Sequence, residues 1–163
     1  MRIALASDHN GAELRRRLAV FLTDLGHDID ERGVTGDQAV DYPPIVADIA
    51  YRVLDGHADR AIMIGGSGSG EHIAANKIVG IRAGYCHDLL TARIARENND
   101  TNVLVMGAMI IGPRMAEEIA RAWLDTAFTH GRHVPRLEQI AALERGERLA
   151  RDDRPELADR TDE

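Results

Sequence analysis

Short apolar runs alternate along this chain with longer segments in which apolar residues recur at helical spacing. A short apolar run bounded by turn residues is typical of a buried strand, and apolar residues three or four positions apart indicate a helix. The pattern predicts strands over residues 3–6, 28–31, 61–64, 81–85 and 103–106. It predicts helices over residues 14–25, 42–53, 88–97, 113–126 and 134–149, with a shorter helix that begins near residue 70.

The alternation of strands and helices predicts an α/β fold. Strands connected by helices run parallel, so the helices are expected to cover both faces of one sheet. Ligands of such folds bind beyond the carboxyl ends of the strands. We therefore expect the functional site in the loops that follow the strands, at residues 7–11, 65–70, 87–88 and 107–112.

The length of 163 residues suits one domain, which we place at residues 1–150. The remaining segment, 151–163, carries nine charged residues in thirteen and is expected to fray or to lie on the surface. The formal net charge of −7 argues against a general nucleic-acid-binding protein, because phosphate backbones require a basic surface.

The same composition removes several other classes. A single cysteine, Cys86, forms neither an internal disulfide nor a cysteine-rich zinc site. No run of about 18 apolar residues is present, so we expect no transmembrane helix. The first residues do not resemble a signal peptide. The sequence thus predicts a cytoplasmic protein.

The segment AIMIGGSGSGEHIAANK carries the most specific chemistry. A buried strand leads into a glycine cluster and then into a helix, which allows a ligand to approach the backbone closely. The N–H groups of residues 67–70 are expected to converge there and to hold negative charge. A dinucleotide-binding turn and a tight turn without a ligand are the alternatives. A Walker loop is excluded, because no Gly-Lys-Ser/Thr follows.

Glu71 follows the last glycine of this cluster. A carboxylate in a first helical turn also occurs for electrostatic reasons alone. Here the same turn offers N–H donors, and a base beside such donors is the arrangement required to remove a proton next to a carbonyl. We therefore interpret Glu71 as a base and the donors as the group that holds the resulting enediolate oxygen.

Six segments together resemble the ribose-5-phosphate isomerase type B family, which also includes the galactose-6-phosphate isomerase subunits. They are SDHNG at 7–11, DYP at 41–43, GGSGSGEHIAANK at 65–77, GIRAG at 80–84, NNDTN at 98–102 and GRHVPR at 131–136. The resemblance covers residues 1–145. It implies a Rossmann-like three-layer sandwich and metal-free, cofactor-free interconversion of an aldose and a ketose phosphate through a cis-enediol. It also implies a homodimer or tetramer whose shared sites are completed by the partner's C-terminal helix.

The resemblance also bears on the identity of the base. Many family members carry a catalytic cysteine at the position of Gly65, and this chain therefore lacks that base. A second branch, which includes mycobacterial relatives, uses a glutamate at the position of Glu71. The sequence resembles that branch, in agreement with the interpretation of Glu71 from the turn itself.

Further site residues follow from the resemblance, position by position. It implies that Ser67 moves a proton between the two substrate oxygens, and that Asn99 hydrogen-bonds substrate hydroxyls. The phosphate grip is expected to consist of His9, Arg132 and Arg136, for which a loop histidine and surface salt bridges are the alternatives. The other expected substrate-binding residues are Asp8, Tyr42, Gly66, Gly68, Ser69, Gly70 and Asn98.

Two positions depart from the family pattern. Most relatives carry a histidine at the position of Asn98, and that histidine is credited with opening the furanose ring. Many also carry an arginine at the position of Met109. Asparagine is not a general acid or base near neutral pH. A tetrose 4-phosphate does not close to a furanose, because its 4-oxygen carries the phosphate.

The sequence therefore leaves the substrate open between ribose 5-phosphate and D-erythrulose or D-erythrose 4-phosphate. For the pentose, His72 or His87 is the alternative ring opener. A non-catalytic nucleotide-binding module and a subunit that requires a different partner chain are rival interpretations. The first is disfavoured because the chain lacks a clear ribose-binding acid. The second is disfavoured by the presence of both Glu71 and the arginine pair.

Overall fold

The computed structural model describes residues 1–34 and 38–150. The strands are β1 (Arg2–Ser7), β2 (Asp28–Gly33), β3 (Arg60–Gly65), β4 (Ala83–Tyr85) and β5 (Val103–Gly107). The α-helices are α1 (Ala12–Asp24), α2 (Tyr42–Leu54), α3 (Ser69–Ala75), α4 (Leu89–Glu97), α5 (Pro113–Asp125) and α6 (Val134–Glu144). A short 3-10 helix, Gly131–His133, precedes α6.

All strands run parallel in one sheet of order β2-β1-β3-β5-β4. At the carboxyl edge, Ser7 of β1 pairs with Ile64 of β3, and Gly65 pairs with Gly107 of β5. The chain adds β2 on one side of β1 and then returns to add β3 on the other, so a topological switch point lies between β1 and β3. The predicted five-stranded parallel α/β fold is confirmed, and the switch point is where such sheets bind ligands.

Alternate residues of each strand face different layers of helices. Ile3 and Leu5 of β1 pack with α1, α4 and α5, whereas Ala4 and Ala6 pack with α2 and α3. Trp123 is fully buried on the first face, and its indole N–H donates to the Thr101 hydroxyl at 2.8 Å. These two cores complete a three-layer sandwich, with the sheet between two layers of helices.

Two predicted elements exceed the observed ones by more than one residue. The fourth strand begins at residue 83 instead of 81, because the Ile81 N–H closes a turn on the Ile78 carbonyl. The last helix ends at Glu144 instead of residue 149. Gly146 adopts a φ of 80° and donates its N–H to the Leu143 carbonyl, which ends the helix.

Four expectations concern the chain as a whole. The charged segment 151–163 lies outside the described residues, so its surface position stays a prediction, as does the boundary at residue 150. Within the described ranges, none of the helices combines the length and the apolar character that crossing a membrane requires. The cytoplasmic location stays a prediction.

Candidate active site

Three of the loops that follow strands meet at the switch point. The Asp8 N–H, after β1, donates to the Ile64 carbonyl of β3 at 3.2 Å. From the other side, segment 108–109 donates two backbone hydrogen bonds of 2.9 Å to Gly65 and Gly66. The glycine turn after β3 is therefore fixed between the loops after β1 and β5, as the expected position of the site requires.

Glu71 lies in the first turn of α3, and only 4% of its surface is exposed. Its carboxyl group lies against Gly65. A β-carbon built on Gly65 would lie 2.1 Å from Oε1 of Glu71 and 2.5 Å from Oε2, far inside van der Waals contact. The carboxyl group thus occupies the space that any side chain at position 65 would need.

The surroundings of Glu71 change its acidity. Burial raises the pKa of the Glu71 carboxyl above its ordinary value, because the ionised form loses hydration. A hydrogen bond from its own backbone N–H opposes this rise, and the charge of Asp8 adds to it. A carboxyl group with a raised pKa accepts protons more readily near neutral pH, which suits a general base.

The loop after β1 places Asp8 near this group, and His9 follows Asp8 in the same loop. Asp8 is 5% exposed and accepts hydrogen bonds from the Gly11 N–H at 3.0 Å and from the Asn10 amide at 3.1 Å. The same Asn10 nitrogen lies 3.2 Å from Nε2 of His9 and beside Gly66, where an added β-carbon would lie 3.2 Å away. Sequence reasoning missed Asn10, whose position between Asp8 and Gly11 in an expected site loop was the available signal.

The glycine turn has a defined set of backbone donors. Gly68 has a φ of 83°, a conformation that favours glycine, and its carbonyl accepts the His72 N–H at 2.9 Å. The Ser69 N–H is already used, because it donates to Oγ of Ser67 at 3.3 Å. Within residues 1–34 and 38–150, no protein oxygen accepts the N–H of Gly68 or Gly70. These two groups are available for an oxygen of a ligand.

Tyr42 and Tyr85 border the turn on two sides. A β-carbon on Gly70 would lie 2.5 Å from the Tyr42 hydroxyl oxygen, so Tyr42 lies against the turn. Its role in substrate binding stays a prediction. The Tyr85 hydroxyl donates to the Ser67 carbonyl, and its ring packs beside Gly68. Sequence reasoning missed Tyr85. The available signal was its position as the last residue of a predicted strand, at the carboxyl edge.

The remaining predicted residues lie at the opposite edge of the sheet. Asn98 follows the end of α4, and the Asn99 carbonyl accepts a hydrogen bond of 3.1 Å from Arg82, which immediately precedes β4. One strand length separates this edge from Glu71, roughly 13 Å for the rise of a strand such as β5. Asn98 and Asn99 therefore do not meet Glu71 within one chain.

Arg132 and Arg136 are exposed and belong to the same distant region. The Thr129 N–H donates to the Glu97 carbonyl at 3.1 Å, just before Asn98, and Glu144 accepts the Gly80 N–H at 3.3 Å. Both attachments lie at the amino edge of the sheet, and both arginines lie between them along the chain. The structure thus divides the predicted site into a carboxyl-edge cluster around Glu71 and an amino-edge cluster around Asn98 and Arg132.

A groove connects the two edges along β4, which is an outer strand of the sheet. The cavity has a volume of about 770 Å³. His72 and Tyr85 line it near the carboxyl edge, and Arg82 and Asn99 line it near the amino edge. Exposed apolar side chains border its wall, namely Ile94, Ile140 and Leu143.

Two other kinds of chemistry find little support in the described residues. Cys86 is 1% exposed, and burial raises the pKa of its thiol to about 12, so it does not supply a thiolate. Among the residues that the structure describes, no group of three or more His, Cys, Asp or Glu side chains is arranged to hold a metal ion.

The chain is similar to known proteins of one family. A family model described as ribose/galactose isomerase matches residues 3–140. Ribose-5-phosphate isomerase B of Escherichia coli strain K12 is 38% identical over 143 residues, which cover 88% of this chain and 96% of that protein. D-erythrulose-4-phosphate isomerase of Pectobacterium atrosepticum is 36% identical over 148 residues, 90% of this chain and 97% of that one.

Solved structures agree with the sequence matches. The structure of Clostridium thermocellum ribose-5-phosphate isomerase B superimposes with a TM-score of 0.88 at 40% identity, covering 90% of this chain and 99% of that one. A ribose 5-phosphate isomerase from Trypanosoma brucei, described as type B, gives a TM-score of 0.84 at 36% identity, with 87% and 97% covered. Because the family model spans most of the chain and these relatives match along nearly their full lengths, the chain belongs to the ribose/galactose isomerase family.

Proposed function

We propose that this protein is an aldose–ketose isomerase of a small sugar phosphate and that Glu71 is its base. The observation that carries the proposal is the buried Glu71 carboxyl group, placed against Gly65 and next to a turn in which the N–H groups of Gly68 and Gly70 are available. Membership in the ribose/galactose isomerase family supports an isomerase over a nucleotide-binding module.

The reaction needs only proton transfers. The Glu71 carboxylate removes the proton from the carbon next to the carbonyl, and the carbonyl oxygen takes up the negative charge as an enediolate forms. The N–H groups of Gly68 and Gly70 hold that oxygen. Ser67 passes a proton between the two substrate oxygens, and the protonated Glu71 returns its proton to the neighbouring carbon. No atom is gained or lost.

Two features of the site favour Glu71 over a thiol. Gly65 leaves no side chain at the position where the family's cysteine is expected, and the Glu71 carboxyl group fills that space. The other candidate thiol, Cys86, is buried and has a pKa of about 12. The raised pKa of Glu71 is in the direction that proton abstraction near neutral pH requires.

We also propose that two copies of the chain share their sites. The amino-edge cluster does not meet Glu71 within one chain, so a second copy must supply Asn98, Asn99, Arg132 and Arg136 if they bind the same substrate. The groove along β4 has one end near each cluster. A two-fold axis through its middle would exchange the two ends and bring the partner's Asn99 next to Tyr85.

In this arrangement the substrate phosphate lies between His9 and the partner's arginines. An arginine side chain presents a fork of N–H donors that matches a phosphate group. Asp8 and Tyr42 then line the sugar-binding part of the pocket, together with Gly66 and Ser69. The exposed apolar side chains of Ile94, Ile140 and Leu143 would form the apolar part of the interface, because a dimer would remove them from water.

Two substrates remain as specific candidates. Ribose 5-phosphate agrees with the named activity of the Escherichia coli relative, and D-erythrulose 4-phosphate agrees with that of the Pectobacterium atrosepticum relative. Asn98 favours the four-carbon substrate, because asparagine does not open a sugar ring by acid–base chemistry. His72 and His87 flank Tyr85 near the glycine turn and are the groups that could act on a cyclic pentose.

A substrate comparison tests this choice. The full-length protein is offered ribose 5-phosphate and D-erythrulose 4-phosphate at equal concentrations, and kcat/KM is measured for each. A higher value for the four-carbon sugar is expected from Asn98. A far higher value for the pentose would remove the open-chain hypothesis, and the absence of turnover with either would contradict the proposed function.

A further inference from the structure

We propose that Tyr85 is a positioning residue, which orients the Gly68 N–H toward the enediolate oxygen by holding the Ser67 carbonyl. The inference rests on the proposed isomerase function. It concerns a residue outside the glycine turn itself, on the edge strand β4, that does not contact the reacting carbon atoms in the proposed mechanism.

Tyr85 contacts the peptide group that joins Ser67 to Gly68. The Tyr85 hydroxyl donates to the Ser67 carbonyl oxygen. On its other side this oxygen lies against Gly107, where an added β-carbon would be only 2.3 Å from it. The Ser67 carbonyl is therefore confined between β5 and the hydroxyl group.

The geometry of that peptide group links the direction of the Ser67 carbonyl to that of the Gly68 N–H. In a planar trans peptide the C=O of one residue and the N–H of the next point in opposite directions. Fixing the Ser67 carbonyl therefore fixes the direction of the Gly68 N–H, which no protein oxygen within the described residues accepts. Because Gly68 has a φ of 83° and no side chain, this peptide would otherwise rotate easily.

The side chain of Tyr85 is itself held in place by its neighbours. Its ring stacks on His72 with centroids 5.8 Å apart and meets the edge of His87 at 4.3 Å. A β-carbon on Gly68 would lie 2.8 Å from Cε2 of Tyr85, so the ring is packed directly on the turn. The ring is held on both sides, and the hydroxyl group has little freedom to leave the Ser67 carbonyl.

The test is Tyr85→Phe, which keeps the ring and removes only the hydroxyl group. Loss of one donor to an oxyanion costs about 10²–10³ in kcat, and a donor that is only misoriented should cost less, about tenfold. We expect kcat to fall about tenfold while KM changes by less than about twofold, because the orientation matters in the transition state more than in the ground state. Tyr51→Phe, on an exposed tyrosine of α2, is the matched control and should keep wild-type kinetics.

A second measurement separates positioning from general damage. A phosphorylated aldonohydroxamate, which resembles the planar enediolate, should bind Tyr85→Phe about tenfold more weakly, whereas inorganic phosphate should bind as it does to the wild-type protein. Wild-type kcat and hydroxamate affinity in Tyr85→Phe would overturn the inference and leave the isomerase function standing. Equal losses for hydroxamate and phosphate would also overturn it, by indicating a structural role. An inactive wild-type protein would overturn both proposals.

Discussion

The two clusters of this molecule differ in how much of a site a single chain completes. At the carboxyl edge, Glu71 is buried, its space is reserved by Gly65, and the turn beside it is held by backbone hydrogen bonds from two neighbouring loops. At the amino edge, Asn99, Arg132 and Arg136 are exposed to solvent. One region has the features of a finished reaction centre, and the other has those of a surface that awaits a partner.

This difference separates the chemistry from its substrate recognition. Proton abstraction needs precise geometry, and the hydrogen-bonded turn beside the buried Glu71 provides it within one chain. Binding of a phosphate needs charge at the correct distance, and a second copy can bring that charge when the interface is fixed. We therefore expect damage to the first cluster to lower kcat, whereas damage to the second should lower substrate affinity and should be relieved by subunit mixing.

The largest effect is expected from Glu71→Gln. Glutamine keeps the shape of the side chain but does not accept a proton, so kcat should fall by about 10²–10⁴-fold. Steady-state kinetics measure the loss, and circular dichroism checks the fold. Glu13→Gln, an exposed glutamate in the first turn of α1, is the matched control. Near-normal turnover of Glu71→Gln would remove Glu71 from the mechanism.

The next effect concerns the space that Gly65 provides. In Gly65→Ala the new methyl group would lie 2.1 Å from the present position of Oε1, so the carboxyl group must move. A displacement of this size should lower kcat by about 10²-fold and destabilise the fold by about 1–3 kcal/mol. Gly112→Ala is the control, because nothing lies within 4 Å of its added β-carbon and its φ is −73°. Equal activity of the two variants would contradict the placement of Glu71.

Mixing two inactive variants should restore part of the activity. This effect is smaller, but it tests directly whether two chains share their sites. Glu71→Gln and Arg132→Ala are unfolded together and refolded as a mixture. If sites are shared, half of the dimers are mixed and each has one intact site of two, so about a quarter of wild-type activity should return (half times half). Arg145→Ala, in which an exposed arginine after α6 is removed, should be active without mixing.

The mixture also has a result that would count against sharing. If each chain completes its own site, the mixed dimers contain no intact site and activity stays at the level of the separate variants. Size-exclusion chromatography of the refolded mixture confirms that dimers have formed, so that a missing recovery is attributed to the site and not to the assembly.

The smallest effect concerns stability as a function of pH. The pKa of Glu71 is raised in the folded chain above its ordinary value of 4.5, chiefly by burial. At pH values between 4.5 and the raised pKa of the folded chain, the folded chain binds more protons than the unfolded chain. The free energy of unfolding should therefore increase as pH falls through this window. Urea denaturation at several pH values measures it. Glu71→Gln should lack this contribution, and parallel curves for the two proteins would contradict the raised pKa.

Much of the local structure around the proposed reaction centre was predictable because its parts are adjacent in sequence. The strand, the glycines and Glu71 form one continuous segment, and the elements that surround it follow from hydrophobic spacing. The parallel sheet follows from the alternation of strands and helices. Local sequence carries this information because a strand, a turn and a helix each leave a signature within a few residues.

The parts that escaped prediction depend on the order of strands. The sequence does not indicate that β4 lies outside β5, so it does not show that Tyr85 reaches across β5 to the turn after β3. Likewise, only the three-dimensional structure separates Asn98 and Asn99 from Glu71, since the resemblance assigns them all to one site. A contact between distant segments leaves no local pattern, so these relations required the fold.

The shared space of Gly65 and Glu71 has a consequence for how this centre can be altered. The two positions behave as one unit with two exclusive states: a side chain at 65, or a carboxyl group that extends from 71 into the same volume. A cysteine at position 65 would need a shorter residue at 71 before either could work. Redesign of the proposed base is therefore a two-residue exchange, and we expect each single substitution on the way to lower activity.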